Sequence, residues 1–363
     1  MKRLSKSYAG IFLISIFFFS CNKDNNSPTD QNKEFKQGVF VVDEGNYSDA
    51  DGEVTFINFA TGDVWHNVFK YANNRPFAGV LQSLTIYKGK GYLVDQLGRL
   101  EAVDAVTFHS EGTLTDGLTI PRYFTADNGK GYISDWGPYD ADYNNPHSKI
   151  IVVDLAGLGI TDSIQTYSRP EGVLVSGGHL FVANSGTDIV SVYNTDGLNE
   201  VAHIQVSPGP TLLETDKNGY IWTVCSGNDS VKSAIVKIDP DNFTAASTIT
   251  LPEGIHLNGK MSMNGAGDKL YVMSEQWATD YSYADNTVFS QPVDQGSFSF
   301  TSVISRKNLY GLGVDPDQDN IYVSDAAGFQ SNGTIFAYSS GGALLDSAQV
   351  DRGPRDFVFV NEQ

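Results

Sequence analysis

Tyrosine and tryptophan gather in a few polar stretches of this chain, and those rings are its best means of holding another molecule. Residues 44–51 carry Tyr47; residues 136–147 carry Trp136, Tyr139 and Tyr143; residues 275–285 carry Trp277, Tyr281 and Tyr283; Phe329 and Gln330 form a fourth group. Aromatic faces stack on flat or ring-shaped ligands, while phenol and indole groups hydrogen-bond. The same rings also suit a plainer role, capping the edges of neighbouring elements. Arg122 and Arg355 stand out in so acidic a chain, because a guanidinium fork recognises phosphate, carboxylate or amide oxygen. Each has a competing internal role, pairing with Glu171, Asp356, Asp43, Asp95 or Asp135.

Residues suited to covalent or metal chemistry are scattered. His66, His109, His147, His179, His203 and His256 show no ligand spacing, and no Gly-x-Ser-x-Gly elbow or phosphate-cradling glycine loop occurs. Asp315, Asp317 and Asp319 alternate as in a calcium loop but lack the glycine and distant glutamate such loops use, and Asp49, Asp51 and Glu53 form a shorter run. Both read as solvated turns. The expectation is a binding protein without catalytic residues, cofactor or metal.

The elements that position these residues come from a repeat. A short apolar strand with an aromatic near its start recurs seven times, at Phe40, Tyr92, Tyr132, Phe181, Trp222, Tyr271 and Tyr322, mostly closing on Asp, Asn or Ser. The steps are 52, 40, 49, 41, 49 and 51 residues, a mean of 47, the span of one four-stranded propeller blade. The fourth unit shows all four strands, with Gly177-Gly178 as a turn between runs of Val, Ile, Tyr and Phe. The fold predicted is all-β, a seven-bladed β-propeller over residues 35–363.

Segments at 81–86, 121–126, 170–175, 210–215, 258–263 and 309–314 precede six of the aromatic strands and read as inner strands. The first aromatic strand has none before it, and the seventh copy, beginning Pro354-Arg355-Asp356, stands at the C-terminus. The C-terminal strand is therefore expected to complete the first blade. Aligning the inner strands places Gln82, Arg122, Glu171, Thr211, Gly259, Tyr310 and Arg355 at one level, around the mouth of the central channel. The aromatic loops fall on that same face. The residues expected to meet a ligand are Tyr47, Gln82, Arg122, Trp136, Tyr139, Tyr143, Trp277, Tyr281, Tyr310 and Arg355.

The stretch from Phe181 through Asn184-Ser185-Gly186 to Tyr193-Asn194 resembles the YVTN-type repeat of YncE-like propellers, strongly here and more weakly in blades two, three and seven. At the N-terminus, Lys2, Arg3 and Lys6 precede an apolar run from Ile11 to Phe19, too short to span a bilayer as a stable helix. Ser20-Cys21 at its end resembles a bacterial lipoprotein cleavage site, which implies removal of residues 1–20 and acylation of Cys21. Residues 21–34 read as a flexible tether, and Lys23-Asp24 resembles the export signal of Bacteroidetes surface lipoproteins.

Loss of the three signal cations takes the formal charge from −19 to −22, so nucleic acid and anionic lipid surfaces are poor partners. With Cys21 lipidated, Cys225 is left as a small buried apolar residue. Surface lipoproteins of this propeller type include a cobalamin-capturing group. That resemblance implies an outer-membrane, surface-exposed protein that takes up a small-molecule nutrient, with a corrinoid the best guess, and passes it to a TonB-dependent transporter. A protein-interaction scaffold and a glycan-binding propeller remain open as alternatives.

Overall fold

A computed structural model describes residues 33–279, 281–297 and 301–360. The expected signal segment and Cys21 lie outside the described residues. Seven four-stranded antiparallel sheets follow one another around a central channel. In blades two to seven the inner strands are Leu81–Tyr87, Pro121–Asp127, Pro170–Ser176, Pro210–Thr215, Leu257–Met263 and Leu309–Val314. Each continues outward in chain order through its next three strands.

The first blade is composite, as expected. Pro354–Val360 is its inner strand and pairs antiparallel with Gly38–Asp43, bringing Phe40 opposite Val358 and Val41 opposite Phe357. This pairing joins the two ends of the described chain and closes the ring without an open edge at the seam.

The repeated aromatic has a packing reason. Phe40, Tyr92, Tyr132, Phe181, Trp222, Tyr271 and Tyr322 are all buried, and each belongs to a hydrophobic cluster bridging adjacent blades. Tyr92, for example, stacks on Phe124 of the third blade with ring centroids 4.5 Å apart. Strand alternation sends one face of each sheet to each neighbour, so a large ring fills the widening gap between twisted blades. Cys225 is one of these buried side chains, and burial pushes its thiol up to about 12, as befits an inert core residue.

The acid that closes the second and third repeats works as a staple. Asp95 accepts the N–H groups of Val80 (2.8 Å) and Leu97 (3.0 Å), and Asp135 accepts those of Thr119 (2.7 Å), Ile120 (3.0 Å) and Gly137 (2.7 Å). A carboxylate at the end of the second strand thus fixes the backbone entering the same blade's inner strand.

In the first blade the outer strand is only Val64–Trp65, and a short helix, Val68–Asn73, covers the remaining edge. Glu53 anchors it by accepting the N–H groups of Phe69 (3.2 Å) and Lys70 (3.1 Å).

Candidate functional site

All seven inner strands carry a register irregularity near their mouth end. Pairing with the second strand skips between Leu81 and Ser83, Pro121 and Phe124, Pro170 and Val173, Pro210 and Leu213, Leu257 and Met261, and Leu309 and Leu312; in the first blade it skips between Asp356 and Pro354. A bulge leaves residues outside the ladder and re-aims their side chains. Among the residues released are Gln82, Arg122, Glu171, Thr211, Gly259, Tyr310 and Arg355, the level that strand alignment singles out.

Once released, they meet one another. Arg355 is the hub: Nη1 donates to Glu44 Oε2 (3.2 Å) and to the Tyr310 hydroxyl (3.1 Å), and Nη2 donates to the Tyr123 hydroxyl (3.3 Å). Tyr310 donates to Glu44, and Gln82 Nε2 donates to the other Glu44 oxygen at 2.8 Å. Lys260 Nζ donates to the Arg355 carbonyl at 3.2 Å. Beside this group, Arg122 pairs with Glu171 at 3.3 Å and donates to Gln96 Oε1 at 2.9 Å. Thr211 donates to the Gly259 carbonyl at 2.9 Å. Side chains from every blade therefore knit across the mouth and plug it.

The electrostatics fit a closed plug. Burial works against the Glu44 charge, but Arg355, Tyr310, Gln82 and Lys260 outweigh it and hold the carboxyl below its usual range. Burial, with Arg355 beside it, pushes Lys260 down to about 7. Burial also raises Tyr310. Beneath the plug lies a channel cavity of about 210 Å³, lined in part by Tyr123, Leu212, Glu214, Ser262 and Asp356. Burial pushes Glu214 up to about 7, with Asp356 adding to the rise, and burial raises Asp356 as well.

The ten expected site residues thus divide. Gln82, Arg122, Tyr310 and Arg355 are brought together but face inward, engaged with protein partners. Tyr47, Tyr139, Tyr143, Trp277 and Tyr281 stand outside the plug on the same face, with 67%, 47%, 77%, 52% and 77% of their surface exposed. Tyr139 and Tyr143 form one ring pair, with centroids 6.4 Å apart, and Trp277 and Tyr281 another, at 6.5 Å. Trp136 belongs to neither set: its ring lies 4.5 Å from the Arg122 guanidinium and 5.5 Å from that of Arg169.

Sequence reasoning placed all of residues 275–285 in a loop. The structure corrects this: the strands Lys269–Trp277 and Ala284–Pro292 run on as a paired hairpin, with Trp277 opposite Ala284. Cross-strand pairing carries the ladder beyond the length usual in the other blades although Glu275, Gln276, Asp285 and Asn286 are weak strand formers, and Trp277 rides on its tip.

Sequence reasoning also missed Glu44 as the carboxylate that Arg355, Tyr310 and Gln82 share, and Arg169 altogether. A glutamate directly after the strand-ending Asp43 was the available sign of the first. In the two acidic turns Arg352 pairs with Asp49 (2.5 Å) and Asp51 (3.1 Å), and Asp315 accepts the N–H of Asp317 at 2.9 Å. Among the described residues no three His, Cys, Asp or Glu side chains are grouped to hold a metal ion.

These features define a seven-bladed β-propeller with a side-chain network across its mouth and an aromatic rim. Residues 37–353 match the family described as a domain of unknown function, DUF5074, and the chain belongs to that family. No curated protein shows significant similarity to it. Among solved structures it is similar to a quinonprotein alcohol dehydrogenase-like protein from Bacteroides thetaiotaomicron, at 14% identity and a TM-score of 0.65, over 90% of this chain and 79% of that one. A functionally unknown protein from Desulfotomaculum acetoxidans is similar at 11% identity and a TM-score of 0.63, over 90% and 100% of the two chains. The hydrazine synthase of Kuenenia stuttgartiensis is similar at 16% identity and a TM-score of 0.58, over 76% and 88%. At such identities the likeness concerns the fold.

Proposed function

We propose that this protein is a non-catalytic binding module whose working surface is the mouth face, and that its ligand rests on the rim. The observation that carries this reading is the pairing of two exposed aromatic clusters, Tyr139 with Tyr143 and Trp277 with Tyr281, on a face whose centre is already filled by the protein's own side chains. Rings left exposed on a rigid platform suit a broad ligand spanning the mouth better than a small one entering the channel.

In its finer form the reading is nutrient capture, with a corrinoid as the best candidate and hand-over to an outer-membrane transporter. A corrinoid offers a wide ring edge and peripheral amides to tyrosine and tryptophan faces. The described N-terminus is consistent with a lipid tether at Cys21. Strand Gly38–Asp43 ends at the mouth, so the chain enters from the opposite face, where Phe35 N–H donates to the Val106 carbonyl (2.7 Å) and Phe59 N–H to the Gln37 carbonyl (2.8 Å). A tether leaving there keeps the rim clear of its own anchor.

A second reading is a protein-interaction scaffold, favoured by the exposure of Leu97 and Val231 on the same face, which widens the apolar surface. Titration with cyanocobalamin, followed by tryptophan fluorescence and calorimetry, separates the two. Saturable quenching and binding heat support capture. Their absence at micromolar ligand, together with recovery of a surface-protein partner that is lost on Trp277→Ala, supports the scaffold.

A further inference from the structure

Arg169 differs from most other arginines of the described chain. Arg75, Arg99, Arg122, Arg352 and Arg355 each face a carboxylate, on Glu101, Asp95, Glu171, Asp49 with Asp51, and Glu44. Arg169 faces none. Its Nε donates to Asn145 Oδ1 (2.9 Å) and its Nη2 to the Tyr143 carbonyl (2.8 Å), which fixes the guanidinium without neutralising it; Nη1 has no acceptor among the described residues. Arg306 also lacks a carboxylate, but it sits on an outer strand with its guanidinium 3.5 Å from the centre of the Phe336 ring.

The surroundings suit a ligand. The Trp136 indole lies near both Arg122 and Arg169, and its buried Nε1 has no hydrogen-bond partner. Tyr139 and Tyr143 present their rings in the same loop whose backbone holds Arg169. In a chain of formal charge −19 the general field repels anions, so an unneutralised, pre-positioned guanidinium beside exposed rings is a local exception. We propose that the junction of the third and fourth blades is a subsite for a ring-bearing anion, with Arg169 taking a carboxylate or phosphate while Tyr139 and Tyr143 cover the ring. This inference rests on the rim being the binding surface and adds the charge of the group it takes.

Benzoate, phenyl phosphate and benzyl alcohol are the probes, titrated at low ionic strength by ligand-observed NMR against the folded protein. Both anions are expected to bind about tenfold more tightly than the alcohol, the ratio one charge-assisted hydrogen bond supplies, and to weaken with added salt. The stronger of the two identifies the preferred anion. Arg169→Gln should remove the preference while leaving alcohol binding unchanged, and Arg169→Lys should keep part of it. Asn145→Ala keeps the charge and removes one pin, so it should stay within about threefold of the parent; matching thermal melts exclude misfolding as the cause. Equal binding of all three probes, abolished by Tyr143→Ala, overturns the anion subsite and leaves the rim reading standing. Anion binding sensitive to Arg169→Gln but not to Tyr143→Ala overturns the subsite as proposed, because the ring would then lie off the rim. No binding by any probe, or anion binding unchanged in Arg169→Gln, overturns the inference.

Discussion

At the scale of single residues, the mouth is a set of buried charges that tolerate one another only as a group. Arg355→Ala leaves Glu44 buried beside Tyr310 without its cation, and an uncompensated buried charge costs about 3–5 kcal/mol. A clear fall in the midpoint of thermal or denaturant unfolding is expected, partly restored when Glu44→Gln is added. Glu214 gives a pH signature. Its folded-state value is raised to about 7, so the folded state binds a proton more tightly than the unfolded one; that contribution is present in acid and is lost as pH rises from about 4.5 to 7. Glu214→Gln should therefore match the parent near pH 4 and exceed it above pH 7 by on the order of 1–3 kcal/mol, read as the difference between two unfolding curves. Substitutions on the rim behave differently: Tyr143→Ala and Trp277→Ala remove exposed rings and should change stability by no more than about 0.5 kcal/mol. That contrast separates the residues that build the mouth from those free to meet a ligand.

At the scale of elements, the C-terminal strand carries the closure. Pro354–Val360 supplies both the inner strand of the first blade and the arginine at the centre of the plug, so a chain ending at Gln349 should lose cooperative unfolding rather than melt a few degrees lower. Circular dichroism melts of the two chains decide it. This displaced strand was legible in the sequence because the inner-strand pattern begins with Pro in four of its copies and is absent before Phe40. The bulges were not legible, because a register skip depends on pairing geometry that residue types do not record. They nonetheless explain why the alignment found the right level: residues such as Gln82 and Tyr310 break the apolar alternation because they leave the ladder. The partners of those residues were hidden for a similar reason. Glu44 and Arg355 are 311 positions apart, and only ring closure brings them to 3.2 Å. The long hairpin at Trp277 was misread because its polar composition resembles a loop, while cross-strand pairing sets its conformation.

At the scale of the molecule, seven blades with one cluster at each junction give a ring whose channel is crossed by side chains at one mouth and whose two faces are unlike. The described chain enters on one face and displays its aromatic rings on the other. On the proposed reading, function resides in the irregular parts, the loops at Tyr47, Tyr139 to Tyr143 and Trp277 to Tyr281, while the repeat supplies the platform. Isothermal titration of cyanocobalamin into the folded protein and into the double variant Tyr143→Ala, Trp277→Ala tests this account most directly. Saturable binding at micromolar ligand or below, weakened at least about tenfold in a double variant that melts like the parent, is the expected result. Binding of equal strength in both proteins would contradict the account, because the ligand would then be held somewhere other than the rim.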